Sequence, residues 1–233
     1  RTDVECTNGI LHEIDTVLVP PARVRLDGGS GGWDTGAWRV QTDRVMGGRS
    51  TGALRFEAGA MVFSGDLSLI GGGFSSVRRS LPSTDLSAKA GIWVEMEALE
   101  FRQDKAPLGL HLQLGDDVSS FGYAAALAVP FTNVPGERVR LFLPLAAFDR
   151  ATRWGGRCST CRLDTTRVIS LDVYVLYQSG PFEVRLHELS LVRSAADAPL
   201  PTAPSVLLSP DDEVRRVIEA AINAGAYLWD KGY

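Results

Sequence analysis

From Trp33 to Arg193 apolar residues recur at every second position, in short runs that glycine, proline, aspartate and asparagine interrupt. This alternation is the tightest constraint on what the chain can fold into. Leu108, Leu110, Leu112 and Leu114 follow it most cleanly. Val62 with Ser64, then Ile92-Val94-Met96 and Val139-Leu141-Leu143, keep the same period, and Val168 to Tyr177 and Phe182 to Leu186 complete the set. A period of two sends successive side chains to opposite faces of a strand, so each run can bury one face and leave the other to water. No helical period separates the runs. Parallel strands need long crossovers, usually helices, so the pattern predicts an all-β antiparallel sandwich or barrel. A domain of about 160 residues buries roughly 70% of its unfolded surface, enough for one core.

Both flanks read differently. Residues 1–21 are expected to be a unit of their own, in which Ile10, Ile14, Val17 and Leu18 form an apolar strand closed by Pro20-Pro21. Residues 22–32, with Gly28-Gly-Ser-Gly-Gly32, read as a flexible linker before a domain over 33–193. An Ala/Pro-rich linker over 194–208 follows. Ser209-Pro-Asp-Asp-Glu213 then carries the signals of a helix start: a capping serine, proline in the first turn and three acids against the helix dipole. Val214, Val217, Ile218, Ala221 and Ile222 fall on one face and Gly225 can close it, so 209–233 is expected to open a further segment with a short amphipathic helix. The first residue is Arg1, so the chain is expected to be a segment of a longer protein, with any signal or transit peptide upstream.

Charge narrows the classes of partner. With 24 basic and 28 acidic residues interspersed and a net charge of −4, the chain carries no electrostatic footprint for nucleic acid. No apolar run approaches the ~20 residues of a membrane-spanning helix. Basic residues gather once, as Arg150, Arg153, Arg157, Arg162 and Arg167 with Asp149 and Asp164 among them, which reads as a solvated loop or as an anion or partner patch. Of three cysteines only Cys158 and Cys161 are close in sequence, inside a stretch that reads as loop. A redox pair, half a zinc site and a local disulfide stay open for them. Cys6, His12, His111 and His187 show no ligand spacing, and no cofactor or metal is expected.

One ordered set of residues says more than the rest. Thr42-Asp-Arg-Val-Met-Gly-Gly-Arg-Ser50 is followed by Phe63-Ser-Gly-Asp-Leu-Ser68 and by Gly71-Gly-Gly-Phe-Ser-Ser-Val-Arg78; later come Asp164-x-x-Arg167-Val-Ile and Gly180-Pro-Phe-Glu-Val184. The set resembles the signature of the NADH:ubiquinone oxidoreductase (complex I) intermediate-associated protein 30 domain over about 160 residues. Thr42 stands where that family usually has Asn, Ser179 replaces an Asp, and 97–115 lacks the family's Gly-Asp-Gly-x-x-Tyr turn. The resemblance implies a galactose-binding-domain-like jelly-roll β-sandwich. It also implies a non-enzymatic assembly factor, chaperone-like, that binds protein subunits of a partly built membrane complex, respiratory in mitochondria or photosynthetic in chloroplasts. Asn8-Gly-Ile-Leu-His-Glu-Ile-Asp-Thr-Val-Leu-Val-Pro-Pro21 resembles the closing strand of a fasciclin domain. That points to the rival reading, a carbohydrate-binding or adhesion module of a secreted or cell-surface protein.

The motif residues that the resemblance singles out are Asp43, Met46, Gly47, Gly48, Ser64, Gly65, Gly72, Gly73, Phe74, Ser76 and Arg78. A phosphate loop has to open a helix, and Phe74-Ser-Ser-Val-Arg-Arg-Ser80 does not, so the glycine run reads as a sheet turn and not as a nucleotide site. Asp43 and Arg78, at the two ends of the signature, are expected to form a bidentate bridge that fixes the turn at Met46-Gly47-Gly48. The functional version places the same pair in a partner groove with Trp38 and Phe74. Glu95 and Glu97, two apart on one strand, face the same way, at roughly the 6.5 to 9.5 Å of inverting glycosidases. Any solvent-facing strand makes such a pair, and with Trp93 beside them a sugar-stacking platform is the better reading. His111 and His187 have no nucleophile partner in sequence, so no catalytic residue is named.

Overall fold

The computed structural model describes residues 3–6, 9–12, 23–100, 110–118, 122–127, 138–153, 156–157, 160–176 and 179–194. In chain order the strands are β1 (Asp3–Cys6), β2 (Gly9–His12), β3 (Arg23–Gly28), β4 (Trp38–Thr42), β5 (Ala53–Glu57), β6 (Ala60–Leu67), β7 (Phe74–Thr84) and β8 (Gly91–Glu100). They continue with β9 (Leu110–Asp116), β10 (Gly122–Ala126), β11 (Val139–Pro144), β12 (Arg150–Arg153), β13 (Gly156–Arg157), β14 (Val168–Leu176) and β15 (Gly180–Val192). Short 3-10 turns occupy Gly29–Gly31, Asp43–Met46 and Leu145–Ala147.

These strands make an antiparallel sandwich, as the alternation predicts. One sheet runs β13-β12-β10-β9-β14-β7-β4 and the other β11-β8-β15-β6-β5. Along one flank β15 pairs with β8; along the other it pairs with β6 over Gly180–Leu186 and then with β3 over Glu188–Val192. Thus β3 and β6 lie end to end against one long strand. The core between the sheets takes every second residue: Leu110, Leu112 and Leu114 of β9, Val173 and Val175 of β14, Val94 and Met96 of β8, Val184 and Leu186 of β15. Phe63 and Phe182 meet edge to face, with ring centroids 4.9 Å apart. Each such side chain stabilises the fold by roughly 1.5–3 kcal/mol of removed apolar surface.

Three expectations change. The stretch read as a linker is structured: Arg23–Gly28 is a strand, and backbone hydrogen bonds close the 3-10 turn after it, Gly28 N donating to Gly32 O and Gly32 N to Gly29 O, both 3.1 Å. Val24 and Leu26 alternate over too few positions before the glycines for the strand to show in sequence. Secondly, part of the arginine-rich stretch read as loop pairs as β12 and β13, at the border of the seven-stranded sheet. Thirdly, within the segment expected to hold one apolar strand, Gly9–His12 pairs with Asp3–Cys6 in a two-stranded sheet of its own. The helix expected in 209–233 and the 195–208 part of the expected linker lie outside the described residues. No helix among the described residues is long and apolar enough to cross a membrane.

Candidate functional site

The signature folds into a joint between two loops at one end of the sandwich. Strand β4 ends at Thr42, whose hydroxyl accepts from Arg44 N at 3.4 Å and caps the 3-10 turn. Asp43 is wholly buried. Its Oδ1 accepts from Ser50 N (2.9 Å), and its Oδ2 from Ser50 Oγ (2.5 Å), Gly73 N (2.7 Å) and Phe74 N (3.4 Å). Ser50 Oγ in turn accepts from Ser68 N at 3.1 Å. A buried carboxylate is tolerated where donors converge on it, and here one residue satisfies the loop before β5 and the loop before β7 together. Gly48 and Gly72 make room for it: a Cβ on Gly48 would stand 2.2 Å from Asp43 Cγ, and one on Gly72 2.5 Å from Asp43 Cβ.

Arg78 does not take part, which corrects the expected Asp43–Arg78 bridge. Thr42 lies opposite Ser75, so Asp43 leaves the ladder toward Gly73 and Phe74, whereas Arg78 lies opposite Arg39, farther along β7. The guanidinium instead donates to Tyr174 Oη, and from Nε to Ser76 Oγ at 3.2 Å. Ser76 Oγ donates to Gln41 O at 3.0 Å. Trp38 and Phe74 are buried, so neither faces a groove open to a partner. Ser64 Oγ accepts from Arg55 Nη1 at 3.2 Å, and Gly65 lets Thr51 O approach to 2.3 Å of where a Cβ would be. Of the motif side chains, Met46 is the exposed one.

A second polar group lies on the outer face of the seven-stranded sheet. The register sets Arg39, Arg78, Asp172 and Gln113 in one row, and Gln41, Ser76, Tyr174 and His111 in the next. Burial pushes the Asp172 carboxyl up to about 6, against the pull of Arg78. Burial likewise pushes the Tyr174 phenol up to about 12, again opposed by Arg78. The Arg78 guanidinium carbon stands 5.0 Å from the Tyr174 ring centroid, a cation–π contact. A buried acid, a guanidinium and a phenol side by side suit hydrogen bonding to a polar partner.

The expected sugar platform is closed. Trp93 is 2% exposed and the Arg23 guanidinium lies over its ring, 4.2 Å from the centroid. Glu95 and Glu97 do face one way, but Arg138 reaches both, at 3.3 and 3.6 Å. Glu97 also meets His187 Nε2 at 2.6 Å. A β-bulge between Leu186 and Glu188 turns His187 toward it. His111 is buried within the second row. Cys161 is disulfide-bonded, which sets aside a zinc-ligand role for that cysteine; Cys158 lies outside the described residues. Among the described residues no three His, Cys, Asp or Glu side chains are placed to hold a metal.

Sequence reasoning missed Asp27. This buried residue accepts from Gly28 N (3.0 Å), Asp34 N (3.0 Å) and Trp38 Nε1 (2.8 Å), and pairs with Arg79. Its neighbours in sequence, Leu-Asp-Gly-Gly, look like a turn, and nothing local points to partners on β4 and β7. Asp116 was missed for the same reason: it ties the end of β9 to the loop before β14 by accepting from Asp164 N at 2.9 Å.

Residues 30–186 match the family described as Complex I intermediate-associated protein 30 (CIA30). Among curated proteins none matches the chain in sequence. Among solved structures, a family 11 carbohydrate-binding module from Clostridium thermocellum, in complex with a β-1,3-1,4-mixed-linked tetrasaccharide, is similar at 13% identity and a TM-score of 0.52, over 75% of this chain and 97% of that one. The family 11 module of the cellulosomal cellulase Lic26A-Cel5E of Clostridium thermocellum is 13% identical with a TM-score of 0.49, over 75% and 96%. A family 29 carbohydrate-binding module is 13% identical with a TM-score of 0.44, over 77% and 93%. At this identity the first likeness shows the fold alone: a jelly-roll sandwich.

Proposed function

Because the chain belongs to the complex I intermediate-associated protein 30 family, we propose that it is a non-enzymatic assembly factor that binds protein subunits of a partly built membrane complex. Respiratory complex I in mitochondria is the first candidate and a photosynthetic complex in plastids the second. The match over residues 30–186, which takes in the whole Asp43 joint, carries this reading. The described residues agree with a non-catalytic role, since Glu95 and Glu97, the carboxylate pair weighed against glycoside hydrolysis, are engaged in ion pairs. Glu97 is held by His187 and Arg138, and Glu95 by Arg138. The domain is proposed to extend back to Arg23, because β3 completes its sheet. The fasciclin-like reading of residues 1–21 rests on their sequence alone.

Affinity capture of the full chain from its own cells tests the proposal. Complex I subunits should co-purify from the mitochondrial fraction. Their absence, with surface glycoproteins recovered in their place, would overturn it.

Carbohydrate binding is the second reading, favoured by the polar rows around Arg78, Asp172 and Tyr174 on one outer face of a jelly-roll sheet. It moves the sugar-facing group from Trp93 to Tyr174. Titration calorimetry with a mixed-linked β-glucan oligosaccharide tests it: heat that disappears in Arg78→Ala supports this reading, and a flat titration removes it.

A further inference from the structure

The Asp43 joint presents an apolar tip. Of the seven large apolar side chains exposed among the described residues, four sit on its two loops: Val45 (65% exposed), Met46 (41%), Leu69 (50%) and Ile70 (62%). The two loops are tied to one another. Asp43 Oδ2 receives Gly73 N, Ser50 Oγ receives Ser68 N, and a Cβ on Gly71 would stand 3.1 Å from Gly47 O. Holding four such side chains in water is unfavourable, and a fixed cluster of them marks a surface that meets something apolar.

The charges beside the tip say what. Arg44 and Arg49 are exposed, and neither guanidinium makes a hydrogen bond or ion pair among the described residues. Over residues 43–50 and 68–74 the only acid is Asp43, which is buried and fully engaged. The tip therefore offers apolar side chains beside two unpaired cations, within a chain whose net charge is −4. Apolar groups that enter the headgroup region, with arginines reaching anionic phosphates, form the two-part signal of an interfacial anchor.

We propose that the loops at Arg44–Arg49 and Ser68–Gly71 dock on an anionic lipid bilayer, with Val45, Met46, Leu69 and Ile70 at the acyl boundary and Arg44 and Arg49 at the phosphates. This goes beyond the assembly reading and does not rest on it.

Flotation of the purified full chain with vesicles tests the proposal, using phosphatidylcholine alone and four parts phosphatidylcholine to one part phosphatidylglycerol. The wild-type chain should float with the anionic vesicles, less so as salt is raised. Arg44→Gln with Arg49→Gln should weaken the partition onto anionic vesicles roughly thirty-fold, two cations at about 1 kcal/mol each, and Val45→Asp with Ile70→Asp should separately lower the bound fraction by setting carboxylates at the acyl boundary. These side chains are solvent-exposed, so the variants should keep the circular dichroism of the parent. Val118→Asp, equally exposed but at the Thr84 end of the sheet, should bind as the parent does. A wild-type chain that floats with neither vesicle overturns the proposal and assigns the tip to a protein partner. Equal binding by parent and tip variants overturns it too. Because the assay contains only the chain and lipid, its failure leaves the complex I reading standing, and failure of the affinity capture leaves this one standing.

Discussion

The indole Nε1 of Trp38 donates to Oδ2 of Asp27 at 2.8 Å, and the bond joins β4 of one sheet to β3 of the other. Arg79 of β7 pairs with the same carboxylate. The two sheets are therefore clasped at one margin by a buried acid whose donors come from three segments of chain. Asp27→Ala would leave an arginine and an indole N–H buried without their acceptor, and should cost about 3 kcal/mol or more. Thermal unfolding followed by circular dichroism measures it. A melting temperature within a degree or two of the parent would contradict the clasp.

The same clasp predicts where the domain can be cut. A chain trimmed to residues 23–193 should unfold in one cooperative, strand-dominated transition. A chain trimmed to 33–193 loses β3 and Asp27 together, so it should melt well below the longer one. Equal melting temperatures would mean that β3 is an ornament of the sheet.

Asp43→Asn should destabilise by about 2–4 kcal/mol, because an amide turns an N–H₂ toward donors that expect an acceptor. Arg78→Ala shares no hydrogen-bond partner with Asp43, so the two changes should add to within about 0.5 kcal/mol in a double-mutant cycle. A coupling of more than about 1 kcal/mol would restore a link between the two ends of the signature.

Asp172 makes stability depend on pH in a definite direction. Its folded pKa, about 6, lies above the ordinary carboxylate value, because burial disfavours the charged form more than Arg78 favours it. The fold therefore holds its proton more tightly than the unfolded chain does. This contribution is fully present below pH ~4 and is lost as pH rises through about 6. Asp172→Asn should raise the melting temperature at pH 8 and change it little at pH 4. An increase of the same size at both values would place the effect elsewhere.

With Cys161 in a disulfide, two of the chain's three cysteines are consumed. Thiol titration of the denatured, unreduced chain should find one free thiol, rising to three after reduction. Three thiols before reduction would return Cys161 to the open set.

Several of these features were legible in the sequence, and others were not. The alternation of Leu110, Leu112 and Leu114, and of Ile92, Val94 and Met96, leads directly to β9 and β8, since period two is a local property of the backbone. The Asp-Arg-Val-Met-Gly-Gly turn and the Gly-Gly-Phe that follows were recognisable as a set, and with them the family. Which atoms the set brings together was not legible. Asp43 and Gly73 are thirty residues apart, and only the register of β4 against β7, with Thr42 opposite Ser75, aims the carboxylate at Gly73 and away from Arg78.

Trp93 shows the other limit. Its place on the outward face of β8 follows from the alternation, but its burial depends on Arg23, which stacks on the ring from seventy residues away. Likewise a Leu-Asp-Gly-Gly stretch is a turn to any local rule, until the sheet pairing of β3 carries Asp27 under Trp38 and Arg79. The sequence alone determined the class of fold and the family, because periodicity and motif order are written along the chain. Tertiary structure decided which polar groups are buried and with whom, because desolvation and hydrogen bonding depend on neighbours that only the sheet register supplies.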